Sequence, residues 1–116
     1  MKYMLLIYGD PATGPTDAAE GEKMMNDYGT FTQSIVDSGE MVAGDPLQDI
    51  DTATSVRVRD GKRSTTDGPF AETKEVLGGY YVVDVKNLNR ALEVAAQIPG
   101  AAVGTIEVRP IMELPG

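Results

Sequence analysis

Two stretches of the chain are apolar on both alternations of an extended strand. In MKYMLLIY, Tyr3, Leu5 and Ile7 fall on one face and Met4, Leu6 and Tyr8 on the other, and GGYYVVDV, residues 78–85, is β-branched and aromatic throughout. Strands of this kind need cover on both faces. MVAGDPL reads as a short strand stopped by Pro46, and TIEVRPIMEL closes the chain as an alternating strand with Ile106 and Val108 set against Glu107 and Arg109. TSVRVRDGKRSTT alternates on both sides of Asp60 and Gly61, a dipeptide that tolerates the positive φ of a two-residue hairpin turn.

Two segments carry a 3.6-residue period instead. Helix one is expected to start at Thr16 or Asp17, with Glu20 as the capping-box partner of Asp17, and to run along Met24, Tyr28, Phe31 and Ile35 to a stop at Ser38 and Gly39. A second helix, capped by Asn87 or Asn89, is expected to bury Leu88, Leu92, Ala95 and Ala96 and to end at Pro99 and Gly100. Between the first strand and helix one, GDPATGPTDAAEGE is too rich in turn formers for either regular element.

The order is β, α, β, an inserted hairpin, β, α, β, which predicts an α+β, ferredoxin-like βαββαβ plan in one domain spanning 1–116. That plan places the two doubly apolar strands in the middle of the sheet and both helices on one sheet face. The other face is then left without cover, and an apolar face of that size is an association site. The sequence therefore predicts a homodimer with two sheets packed face to face.

Composition removes several functions. The 116 residues include no cysteine and no histidine, so disulfide and zinc frameworks are excluded, and acidic oxygens show no EF-hand spacing; no metal and no cofactor are expected. GDPATGPT lacks the glycine–lysine pair of a phosphate loop. The formal charge of −8 disfavours nucleic acid and anionic membranes, and the basic hairpin residues Arg57, Arg59, Lys62 and Arg63 are too few to reverse that. No apolar run is long enough for a membrane span or a signal-peptide core, so a soluble, cytoplasmic protein is expected.

Candidate chemistry concentrates in TTDGPFAETKEVLGGYY, residues 65–81. Asp67 either caps its own turn through the amides that follow or is aimed by a rigid turn into a cleft as acid, base or acceptor. Phe70 is expected in the core or on a pocket wall. Lys74 lies in an acid-base-acid cluster with Glu72 and Glu75, solvated or able to orient an anionic ligand. Gly78 and Gly79 point to a bulge or a close backbone approach. Tyr80 and Tyr81 fall on opposite strand faces, one under the helices and one toward the open face.

MKYMLLIYGD, SVRVRDGK, TDGPFAETKEVLGGYYVVDV and EVRPIME together resemble the DGPF-containing branch of the YCII-related domain family, over nearly the whole chain. The resemblance implies a dimeric α+β barrel. Proteins of similar fold include muconolactone isomerase, antibiotic-biosynthesis monooxygenases and chlorite dismutase, so the fold alone selects no chemistry. It also implies an association with extracytoplasmic-function sigma factors. The YCII branch is credited with a histidine and aspartate pair, and here the matching part of helix one reads NDYGTF, with Tyr28 near the histidine's place. A neutral phenol donates a hydrogen bond but is a poor base at pH 7, so the pair does not carry over. Three functions follow as expectations: a small-molecule-binding protein in a regulatory or stress setting, with Tyr28, Phe70, Lys74 and Tyr81 at the ligand; an isomerase- or lyase-type enzyme with Asp67 as proton shuttle; and an interaction module for a sigma factor.

Overall fold

The computed structural model describes residues 1–115; Gly116, the last residue of the expected domain, lies outside them. Six strands and two helices follow in the predicted order: β1 (Lys2–Gly9), α1 (Ala18–Asp37), β2 (Met41–Pro46), β3 (Thr54–Arg59), β4 (Lys62–Asp67), β5 (Val76–Asp84), α2 (Leu88–Gln97) and β6 (Thr105–Pro110). An antiparallel four-stranded sheet has the order β2-β5-β1-β6, and β3 with β4 forms a separate two-stranded ribbon. The doubly apolar strands β1 and β5 are therefore the central pair. Among the described residues no barrel closes.

Local chemistry explains the boundaries. The Asp17 carboxylate accepts the Glu20 amide hydrogen at 2.8 Å and caps α1. Glu20 does not reach back to Asp17 as a capping-box partner: its carboxylate accepts both the amide and the hydroxyl hydrogen of Thr16, each at 2.8 Å, one residue further out. Those bonds hold the Glu20 carboxyl below the usual carboxylate range. Asn87, not Asn89, caps α2 by accepting the Arg90 amide hydrogen at 2.9 Å. In the ribbon Asp60 and Gly61 take φ of 53° and 73°, the left-handed conformations of the expected tight turn.

Both helices lie on the sheet face formed by Tyr3, Leu5, Tyr81 and Val83. Phe31 and Ile35 of α1, and Ala91, Val94, Ala95 and Ile98 from α2 and its exit, complete the buried core there. The expected α2 stripe is thereby corrected. Leu88 and Leu92 are 50% and 48% exposed and Ala96 is exposed, while 91, 94, 95 and 98 face the sheet. Two alanines in that stripe let the helix approach the strands closely, and the larger leucines are left on its flanks. Cross-strand pairs set the other sheet face: Tyr80 lies opposite Leu6 and Asp45, Leu6 opposite Glu107, and Val82 opposite Met4. Among the described residues no helix covers this face. The pairing of β1 with β5 shifts register at Ile7 and Tyr8, which leaves Gly78 as the extra residue of the expected bulge.

One charged pair ties the two helices' ends together. Arg90 grips Glu40 with two parallel bonds, Nε to Oε2 at 2.9 Å and a terminal nitrogen to Oε1 at 2.8 Å. The Glu40 side chain is only 14% exposed, and the guanidinium holds its carboxyl at about 2, against an ordinary value of 4.5. A carboxyl held ionised in the folded chain contributes stability that is complete above its unfolded pKa and is lost as pH falls through the folded one. Thermal melts should therefore show wild type above Glu40→Gln, with the full gap above pH 4.5 and a narrowing gap as the pH drops toward about 2. A gap independent of pH refutes the assignment.

Glycines make a second, opposite-signed test. A Cβ at Gly104 runs into the Tyr8 carbonyl oxygen, a backbone atom that cannot swing away, whereas a Cβ at Gly29, inside α1, meets nothing. Gly104→Ala should lose about 1–3 kcal/mol of stability, and Gly29→Ala should gain roughly 0.5–1 kcal/mol. Chemical denaturation of both variants checks the signs.

Candidate functional site

The turn that follows α2 builds a cleft in which a sequence-predicted residue takes part. Ile98 ends α2 in an extended conformation and Pro99–Ala102 forms a 3-10 turn that folds against α1. There the Gly100 amide donates to the Tyr28 hydroxyl oxygen at 3.1 Å. A Cβ at position 100 would stand 2.7 Å from that oxygen and 3.2 Å from Ile7 Cγ2, so only glycine lets the phenol reach the amide. Beside this contact lies an open cleft of about 280 Å³ whose walls include Pro15, Lys23, Met24, Tyr28, Pro99 and Val103.

The phenol is half-buried, and loss of hydration is the main reason its pKa is raised, with the Gly100 amide opposing and Tyr81 reinforcing that change. Tyr28 is thus a neutral group near pH 7. Its oxygen already accepts one bond, and its own proton is available for an acceptor in the cleft. Lys23 is paired with Asp27 one helical turn on at 2.7 Å, which leaves the Glu20 carboxylate as the unbalanced charge on the cleft wall.

The other candidates are placed elsewhere. Tyr81 is buried, edge-on to Phe31 with ring centroids 5.1 Å apart, and its hydroxyl shares a 2.6 Å hydrogen bond with Thr32 of α1. It is therefore the tyrosine under the helices. Tyr80, on the opposite face, donates to Asp45 at 2.8 Å, and that bond to a carboxylate is the main reason its pKa is raised. Asp67 ends β4, exposed, opposite Thr54, and its carboxylate makes no hydrogen bond among the described residues. The turn is closed instead by Gly68, at φ 96°, whose amide donates to Ala53 at 2.7 Å and whose carbonyl accepts from Ser55 at 2.8 Å. Phe70, expected in the core or on a wall, is 80% exposed. Its ring belongs neither to the buried core nor to the wall of the Tyr28 cleft. Lys74 is exposed and pairs with neither Glu72 nor Glu75. Glu75 instead accepts from the Thr105 hydroxyl at 2.8 Å and pins the segment to β6.

Sequence reading missed the part of the cleft made by Pro99, Gly100 and Val103. Pro99 and Gly100 were legible only as helix terminators, since nothing local shows that the turn they form returns to α1. Among the described residues no cluster of acidic side chains could hold a metal ion, and no helix is long and apolar enough to cross a membrane.

The split βαβ plan with one sheet face covered by two helices defines an α+β protein of ferredoxin-like architecture. The chain belongs to the YCII-related domain family, whose model matches residues 1–115. It is similar to an uncharacterized protein of Rhizobium meliloti (strain 1021), 34% identical over 114 residues that cover 96% of this chain and 92% of that one. That name carries no activity to transfer.

Replacing Tyr28 by Phe removes the acceptor of the Gly100 amide and should cost about 1–2 kcal/mol of stability. The same exchange at Tyr81, whose partner Thr32 can turn to another acceptor, should cost about 1 kcal/mol or less. Urea denaturation of the two variants measures both.

Proposed function

We propose that this YCII-domain protein is a homodimer that binds a small uncharged organic molecule with a carbonyl acceptor in the cleft at Tyr28. The observation that carries the reading is the Tyr28 phenol itself: half-buried, neutral, oriented by the Gly100 amide, and left with a proton to donate at the edge of a partly apolar cleft. Such a site recognises an acceptor oxygen and packs an apolar body against Met24, Pro99 and Val103. Homodimer formation is supported by the half-buried Met4, Leu6, Tyr80 and Val82 on the sheet face that no helix covers. Two such faces packed together form the dimeric barrel.

Binding is preferred to catalysis because Asp67, the carboxylate an isomerase- or lyase-type mechanism relies on, does not line this cleft. It ends β4 exposed to solvent on the ribbon, apart from the half-buried phenol.

A panel of small ketones and aromatic aldehydes, screened by amide chemical-shift changes, should give shifts gathered at Met24, Asp27, Gly100 and Val103. Tyr28→Phe should weaken any hit by about tenfold or more, the share of one hydrogen bond to a buried acceptor. Hits that bind Tyr28→Phe equally well defeat the cleft assignment. Leu6→Asp should convert the dimer to a folded monomer in sedimentation velocity; a Leu6→Asp dimer defeats the face-to-face arrangement.

A further inference from the structure

The ribbon of β3 and β4 is built as a two-faced arm. Cross-strand pairing puts Val56 opposite Thr65 and Val58 opposite Arg63 on one face, and Arg57 opposite Ser64 and Arg59 opposite Lys62 on the other. Val56 and Val58 are 58% and 59% exposed, although β-branched residues on a strand contribute mainly by packing against a neighbour. A two-stranded hairpin alone in water is marginal at best. All of β4 is exposed, so the body of its own chain gives this ribbon little support.

Its charge is opposite to the body's. The arm holds Arg57, Arg59, Lys62 and Arg63, four of the chain's ten basic residues, but only Asp60 and Asp67 of its eighteen acidic ones. Among the described residues none of these four cations lies within ion-pair distance of a carboxylate. The acidic surface that matches the arm is on the rest of this chain, where the fold keeps the arm from reaching it.

Size points the same way. The accessible surface is 8304 Å², against about 6,100 Å² for a compact monomer of this mass. The excess of about 2,000 Å² is what one subunit of a permanent dimer covers. The radius of gyration is 16.2 Å, against about 13 Å for a compact chain of this length.

We infer that β3–β4 is an exchanged arm that lies on the acidic body of a second copy of this chain, with Val56, Val58 and Thr65 as its contact face. Arg63, beside Val58, pairs directly with a carboxylate of that copy, and Arg57, Arg59 and Lys62 add their field from the other side of a ribbon only two strands wide. Two-fold symmetry makes the exchange reciprocal. The inference rests on the homodimer reading but not on the ligand or on the sheet-to-sheet contact.

Sedimentation velocity over a concentration series at about 0.05 and 0.5 M salt tests it, because charge contacts at a surface weaken as the screening length shrinks. The Val56→Asp/Val58→Asp variant should raise the dimer dissociation constant about tenfold or more. The Arg57→Ser/Arg59→Ser/Arg63→Ser variant, which leaves the valines in place, should weaken the dimer at low salt and flatten its salt dependence. Because the chain has no cysteine, Thr65→Cys accepts a single spin label, whose spectrum should be immobilised in the dimer. A wild-type dimer whose affinity survives both arm variants, or whose label at position 65 turns freely, overturns the arm and leaves the homodimer standing. A wild type that sediments as a monomer throughout overturns the homodimer and the arm with it.

Discussion

An antiparallel sheet with two helices on one side must leave its other side to be dealt with, and β1 and β5 make that constraint severe. Both are central, both are apolar on both faces, and the helices reach the face of Tyr3, Leu5, Tyr81 and Val83. The rest of the architecture follows from that one-sided cover. The core is a single layer between sheet and helices, Met4, Leu6, Tyr80 and Val82 are left half-buried, and the polar Asp45, Glu107 and Arg109 share the open face with them. Tyr80 keeps its hydroxyl satisfied there by bonding to Asp45.

Close approaches at glycines and one gripped carboxylate set how the helices sit on the sheet. Gly104 brings β6 against the Tyr8 carbonyl, Gly44 lies under the Tyr81 ring, and Gly100 brings the turn after α2 onto Tyr28. Arg90 and Glu40 join the start of α2 to the entry of β2. The cleft is a by-product of this packing: wherever the turn at Pro99–Ala102 meets α1, a gap opens beside the phenol that fixes the contact. The Tyr28 hydroxyl anchors the turn through its oxygen, and the proposed ligand contact would use its proton.

The segment singled out as chemically richest is divided by the fold. Asp67 belongs to the arm, Gly68 closes the arm's base, Phe70 stands in solvent, Glu75 fastens the return to β6, and Tyr81 is buried under α1. Residues fourteen apart in sequence thus share no site within one chain. On the proposed exchanged arm, a second copy would cover Val56 and Val58 and bring its surface to the foot of the ribbon, where Asp67 and Phe70 lie.

Element order, the central placement of β1 and β5, the Asp60–Gly61 turn, the Asp17 cap and the Gly78 bulge were legible because each depends on a few neighbouring residues and a fixed period. The phase of α2 was not: Leu88 and Leu92 looked like core by size, but the sheet selected the alanine-rich side because it allows closer contact. Likewise Phe70 looked buried by type, and Glu20 looked like a capping-box partner for Asp17. By itself the sequence determined an α+β domain of two helices over one sheet, acidic, without thiol or imidazole chemistry, and left with an apolar face to cover. Only tertiary structure decided that Tyr28 meets Gly100, that Glu40 meets Arg90 and that the basic ribbon stands clear of the body, because these depend on where segments far apart in sequence come to rest, and no local pattern encodes that distance.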